Sequence, residues 1–403
     1  MNALVLGLAR SGQAAALALA RRGDGVIAVD RSEEVETGRL EEAGVEVQLG
    51  SEETSLLEGM DVLVKSPGVP SDAPLVAAAR ARGVPVWSEV ELAARLLPNP
   101  ILGVTGTNGK TTTSELLGAM LGAPVAGNVG RALTELVGEV DEGRWIVCEL
   151  SSFQLEDIHQ LRPRIAVLLN LEPDHIDRHG TFEAYRDAKL RIFENQGPED
   201  VAVVPEGFPD VGEARRMEFA GTDELPAEPR IPGAHNRENA AAATVAARAA
   251  GATDEQIAEA LRTFPGVPHR LEEIAEIGGV RFVNDSKATN AAAARRAIAS
   301  YDTPLHVILG GLGKNERYDE LAADLRARRA RAYLVGVAAD ALASALDVPY
   351  ERSGDLATAV RAAAAAAQPG DVVLLSPAAA SYDQFENYEA RGNEFRRLVE
   401  ELR

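Results

Sequence analysis

Short apolar runs alternate along the chain with stretches whose apolar residues recur every three to four positions. "ALVLG" (3–7) and "GVIAVD" (25–30) open the series, with an alanine- and leucine-rich helical stretch between them. "ILGV" (101–104), "WIVCEL" (145–150) and "IAVLLN" (165–170) continue it. "VRFVNDS" (280–286), "PLHVILGG" (304–311), "RAYLVG" (331–336) and "DVVLLSP" (371–377) complete it. Strands alternating with helices predict α/β architecture with mostly parallel sheets. Three domains are expected: a Rossmann-like 1–90, a central P-loop ATPase-like 91–266, and a Rossmann-like 267–403. "FPGVPH" (264–269), with two prolines and a glycine, is the expected hinge, about which the third domain would close. Alanine-rich stretches such as "AVRAAAAAAQ" (359–368) are strong helix formers and belong to the scaffold.

Composition narrows the function classes. At 403 residues the chain can hold two or three cores. Its net charge of −21 argues against a nucleic-acid partner, since phosphate backbones need basic surfaces. No apolar run is long enough for a membrane span, and no charged leader precedes the first strand. A cytoplasmic protein is expected. The single Cys148 rules out an internal disulfide framework. Among 41 basic residues only Lys65, Lys110, Lys189, Lys287 and Lys314 are lysines. A chain that otherwise uses arginine retains lysine either by chance or where a compact, reactive amine is needed.

The most specific stretch is "GVTGTNGKTTTSELL" (103–117), a strand, a glycine turn, GKT and a helix. The common phosphate loop would place its first glycine at 104, which here is valine. Gly106, Thr107, Asn108 and Gly109 form the turn; the N–H groups of Thr107, Asn108 and Gly109 can face a β-phosphate. Lys110 adds its ammonium, and Thr111, followed by Thr112, a hydroxyl for Mg²⁺. Gly7 to Gly12 approximates a dinucleotide fingerprint with Ala9 at the second glycine, and Asp30 ends the next strand. That loop could hold a diphosphate or be a tight turn without a ligand. "VKSPGVP" (64–70) could face the same ligand. Glu149 ends its strand at the edge where a metal would lie. The next strand in the chain delivers Asp174, His175 and Asp177, which read either as a solvated turn or as a metal or phosphate site. Lys189 falls on the apolar stripe of Phe182, Tyr185, Ile192 and Phe193, where a lysine ordinarily exposes its amine. Lys287 and Lys314 follow strands in the third segment and could bind a small dicarboxylate, with Thr289 and Ser381 as further donors.

Taken in order, "GVTGTNGKTT", "ELSSFQLE", "LNLEPDHIDRHG", "YRDAKLRIFEN", "GAHNRENAAAA", "PHRLE", "NDSKATN" and "SPAAASYDQFENYEARGNEF" resemble the Mur ligases over essentially the whole chain. The last two motifs are similar to those of the members that add D-glutamate. The resemblance implies an ATP-dependent, ADP-forming amide ligase of peptidoglycan precursor synthesis. It would join D-glutamate to UDP-N-acetylmuramoyl-L-alanine through an acyl phosphate. By motif, Thr111 and Glu149 would hold one Mg²⁺. His175 would help hold a second, with Lys189 as a carbamate formed from CO₂. Lys110, His175, Lys189 and Arg270 would be catalytic, Arg270 reaching the γ-phosphate. Asn236 and Asn239 would contact adenine and Asp285 the ribose. Ser11, Asp30, Arg31, Ser66, Pro67 and Gly68 would form the UDP site in the first domain, and Asn128 would face the muramoyl sugar. Lys287, Thr289, Lys314, Ser381 and Tyr388 would take D-glutamate in the third. The expected state is a monomer acting on small molecules. Ala379 stands where a cysteine is frequent, and Leu312 where an acidic or polar residue is common.

A folylpolyglutamate synthase-like ligase shares the loop and the carbamate lysine but needs a pteridine site in place of the first domain. A P-loop switch would hydrolyse nucleotide without an amino-acid acceptor, which leaves Lys287 and Lys314 unexplained.

Overall fold

The computed structural model describes residues 1–313 and 318–403, the side chain of Asp177 excepted. Lys314 therefore lies outside the described residues.

β1 (Asn2–Leu6), β2 (Gly25–Asp30), β3 (Glu46–Leu49), β4 (Val62–Lys65) and β5 (Val86–Ser88) form an all-parallel sheet in the order β3-β2-β1-β4-β5. Helices cover both faces, so the central strands are apolar throughout: Ala3 to Leu6 are fully buried. Strand order reverses between β1 and β4, which opens a crevice at their carboxyl ends.

β6 (Ile101–Thr105), β7 (Val125–Gly127), β8 (Ile146–Glu149), β9 (Ile165–Leu168), β10 (Val201–Pro205) and β11 (Arg215–Phe219) form a second parallel sheet, ordered β11-β10-β9-β6-β8-β7. β8 and β9 are consecutive in the chain but lie on opposite sides of β6. Glu149 pairs in register with Val104, and Leu168 with Thr105. The loop after β6 is therefore flanked by the ends of both neighbours.

β12 (Glu272–Ile277), β13 (Val280–Asn284), β14 (Leu305–Gly310), β15 (Arg331–Val335), β16 (Tyr350–Gly354) and β17 (Val372–Leu375) build the third sheet, ordered β12-β13-β17-β14-β15-β16. Among the described residues of this sheet only the β12–β13 hairpin is antiparallel.

The chain forms two compact units, residues 1–229 with 235–264, and 230–234 with 265–403. The first contains both parallel sheets, and buried charges join them. Lys65, 1% exposed at the end of β4, pairs with Asp157 at 2.9 Å and Glu156 at 3.6 Å. Position 90 falls inside the helix Glu89–Leu96, which Ser88 caps by accepting from Glu91 N–H. From that helix Glu91 accepts from the N–H groups of His159, Gln160 and Leu161. Glu89 accepts from Thr134 N–H at 2.6 Å and its hydroxyl at 2.7 Å. Among the described residues no helix is long and apolar enough to cross a membrane.

Candidate active site

The loop 106–109 leaves β6 at the middle of the second sheet and feeds the helix Lys110–Leu121. Gly109 has a φ of 84°, and a Cβ there would lie 2.2 Å from Asn239 Oδ1. Glycine is thus demanded twice, by the backbone angle and by the side chain pressed against it. Lys110 Nζ folds over the loop and donates to Gly106 O at 2.7 Å and Thr107 O at 3.0 Å. Two of the three N–H groups expected at the β-phosphate have protein acceptors here. Thr107 N–H donates to Asn170 O at 3.0 Å and Asn108 N–H to Asn170 Oδ1 at 2.9 Å. Asn170, directly after β9 and absent from the expectations, therefore holds the loop's shape.

Lys189 lies on the helix Phe182–Leu190, which Thr181 caps by accepting from Ala184 N–H. It is 2% exposed, and its amine does not reach for solvent. Nζ donates to Gly106 O at 2.8 Å, the carbonyl that also accepts from Lys110. Burial and then the Lys110 ammonium push Lys189 down to about 6. One turn earlier Tyr185 donates its hydroxyl to Thr107 Oγ1 at 3.0 Å, and burial pushes it up to about 12. The amine that follows the turn, and an amine and a phenol from the helix Phe182–Leu190, thus converge on it.

Thr111 and Glu149 are 6% and 2% exposed. Asn128 Nδ2 donates to Glu149 Oε1 at 2.9 Å, and Asn128 N–H to Glu149 O at 2.9 Å. A hydroxyl and a carboxylate are oxygen donors of the kind Mg²⁺ takes, so this pair fits the expected ion. His175 differs: its side chain is 48% exposed, its φ is 51°, and its ring meets Phe153 edge-on at 4.9 Å. The neighbouring His179 has the more enclosed side chain, 4% exposed. It stacks on Phe153 and contacts Ser152 Oγ at 3.0 Å and Glu156 at 3.4 Å. Burial lowers its pKa. Among the described residues no three His, Cys, Asp or Glu side chains converge as a metal cage; the expected set, with a threonine and a lysine, is not of that kind.

Between the first two sheets lies a cavity of about 590 Å³. Ser11, Asp30 and Arg31 line one side; Ser66, Pro67 and Gly68 another, and Asn128 a third. All seven residues expected around the UDP-linked substrate are thus brought together. Asp30 shapes the wall by accepting from Leu8 N–H at 2.6 Å and Ser32 N–H at 2.9 Å. Arg10 and Gln154 also line it. Arg10 donates across the opening to Gly130 O, a role for which its place between two glycines gave no sign.

In the second unit the loops after β13 and β17 carry Asp285, Lys287, Thr289 and Ser381, while Arg270 precedes β12 and Tyr388 opens the helix Tyr388–Glu400. Asp285 is 5% exposed and accepts from Ser376 Oγ at 2.8 Å and Leu271 N–H at 3.2 Å. Burial pushes it up to about 7. Arg270 sits in the turn closed by its N–H to Val267 O at 3.0 Å. Lys287 Nζ lies 5.9 Å from the Tyr388 ring. Ser381 is 2% exposed, and Thr289 N–H bonds to Lys287 O at 2.9 Å. Asn236 and Asn239, in the first unit, share the helix Ala234–Ala249, both nearly buried. Leu312 is 39% exposed and pairs by backbone with Ala380, so its side chain is not needed to hold that loop.

The family model for the Mur ligase MurD-like N-terminal domain matches residues 1–88. The Mur ligase middle domain matches 104–218, and the Mur ligase glutamate ligase domain 269–379. A protein of Acidobacterium capsulatum named UDP-N-acetylmuramoylalanine–D-glutamate ligase is 43% identical, over 98% of this chain and 95% of its own. One of the same name from Anaeromyxobacter dehalogenans is 42% identical over 98% and 97%. The crystal structure of MurF ligase from Thermotoga maritima in complex with ADP superposes with a TM-score of 0.63 at 17% identity, over 94% and 96% of the chains, a likeness of fold. With three domain matches in order and relatives aligned from end to end, the chain belongs to the Mur ligase family.

Proposed function

We propose that this chain joins D-glutamate to UDP-N-acetylmuramoyl-L-alanine at the expense of ATP, in the cytoplasmic synthesis of peptidoglycan precursors. The observation that carries this reading is the convergence of Lys110 and Lys189 on Gly106 O, in the same unit as a cavity able to hold a nucleotide sugar. Two anions, the L-alanine carboxylate and the ATP γ-phosphate, must meet, and an oriented cation in a water-poor site favours that encounter. Lys110 neutralises the γ-phosphate as a carboxylate oxygen attacks phosphorus and ADP departs. The D-glutamate amine then attacks the acyl carbon, loses a proton, and phosphate leaves the tetrahedral intermediate. Mg²⁺, when held by Thr111 and Glu149, would supply further neutralisation of the phosphates. Asn236, Asn239, Arg270 and Asp285 are assigned to ATP, and Lys287, Thr289, Lys314, Ser381 and Tyr388 to D-glutamate.

Lys189 is assigned a carbamate, with His175 beside it at a second ion. Its support is chemical. A buried amine beside an ammonium is favoured in its neutral form, the form that reacts with CO₂, and arginine cannot be so modified. The acyl-phosphate route is tested with substrate carrying ¹⁸O in the L-alanine carboxylate. One labelled oxygen should appear in released phosphate; unlabelled phosphate alongside amide product would refute the route.

A further inference from the structure

Arg391 lies in the first turn of the helix Tyr388–Glu400 and is 2% exposed. Its Nε donates to Ser286 Oγ at 3.0 Å, Nη2 to Ser286 O at 2.9 Å, and Nη1 to Ala379 O at 3.1 Å. A Cβ on Gly311 would stand 3.1 Å from Nη1, so no side chain fits between that backbone and the guanidinium. Ser286 follows β13, Ala379 follows β17 and Gly311 follows β14, three adjacent strands ending at one edge. Leu312 N–H to Ala380 O at 2.8 Å and Ala380 N–H to Leu312 O at 3.2 Å join two of these loops to each other. Ser286 Oγ donates onward to Tyr388 O at 2.8 Å.

Every acceptor on this guanidinium is neutral. Among the described residues no carboxylate lies within ion-pairing distance of Arg391; Asp383 acts on it only through its field. Burying a cation without a counter-ion is expensive, and a neutral side chain could bond to two carbonyls and a hydroxyl at lower cost. The loops it fastens are those carrying Lys287, Thr289 and Ser381. We propose that Arg391 is a positioning residue of the acceptor site. It fixes the three loops in one arrangement and leaves behind them a net positive charge that the carboxylates of the incoming amino acid complete. This rests on the placement of D-glutamate at this edge.

The test compares Arg391→Lys, which keeps the charge and loses the fork, with Arg391→Gln, which keeps hydrogen bonding and loses the charge. The apparent KM is measured for D-glutamate, ATP and the UDP-linked substrate, with melting curves as the folding control. For Arg391→Lys the D-glutamate KM should rise about 10-fold, and for Arg391→Gln about 100-fold or more, with the other two KM values within about twofold of the parent. Equal rises for all three substrates, or Gln performing as well as Lys, would reduce Arg391 to a fold clamp and overturn the proposal. Should the Gln variant unfold, the Lys variant decides: a rise confined to D-glutamate supports the proposal, and a uniform or absent rise overturns it. Lys287→Ala separates the proposal from its premise. If that variant leaves the D-glutamate KM unchanged, the site placement is wrong; if it raises it while the Arg391 variants do not, the placement stands and Arg391 has no part in it.

Discussion

Lys189 carries the sharpest consequence at the scale of single residues. Its amine is directed inward to Gly106 O and away from water, which a lysine on an apolar stripe does not ordinarily do. Lys189→Arg preserves much of the bulk and the hydrogen-bond donors but cannot carry a carbamate. A loss of about 10³-fold or more in kcat is expected in a variant whose circular dichroism remains that of the parent. An active Arg variant would remove the carbamate from the mechanism. Glu89 makes a separate, pH-dependent prediction. It is 1% exposed, and burial pushes it from 4.5 up to about 7. The folded state thus holds the proton more tightly, so this contribution to stability is complete below pH 4.5 and lost as pH rises through 7. Glu89→Gln keeps an acceptor for Thr134 without the charge. Its stability gain in urea unfolding should grow by about 2 kcal/mol between pH 5.5 and 8.5, and a gain independent of pH would contradict the burial argument. The choice of lysine over arginine made Lys110 and Lys189 visible in the sequence. Asn170, His179 and Arg391 lie inside quoted motifs but were not singled out, because the partners that give them their roles come from other segments of the chain.

Among the elements, the strongly apolar strands were legible because strands buried on both faces are written as continuous hydrophobic runs. β16 reads "YERSG" and β12 "EEIAEI", half-exposed edge strands whose pairing depends on a neighbour. The phosphate loop was legible from its glycines and GKT. That β8 and β9 flank it from opposite sides was not, since sheet order is a tertiary choice. The helix Lys110–Leu121 depends on Gly109, whose position is fixed by both φ and Asn239. Gly109→Ala should cost about 10²-fold or more in kcat/KM for ATP, while circular dichroism remains that of the parent. If the variant turned over normally, the contact between loop and Asn239 would have no bearing on nucleotide binding.

For the whole molecule, three domains were expected; the described residues form three sheets, two of them in one compact unit. The reason lies in Lys65, Glu89 and Glu91. Glu89 and Glu91 were unremarkable in the sequence and Lys65 stood out only as one of five lysines, but all three are buried at the joint between the first two sheets, where each finds partners from the other. Of the five lysines, Lys65 is thus retained as a structural cation. On the proposed function one chain binds a nucleotide sugar, activates its carboxyl with ATP and transfers it to an amino acid. The most direct measurement is ADP release and amide product, followed together while UDP-N-acetylmuramoyl-L-alanine and D-glutamate are each supplied or withheld. One ADP per amide bond, only when both are present, is the predicted result. Sustained ATP hydrolysis indifferent to D-glutamate, without amide product, would contradict it.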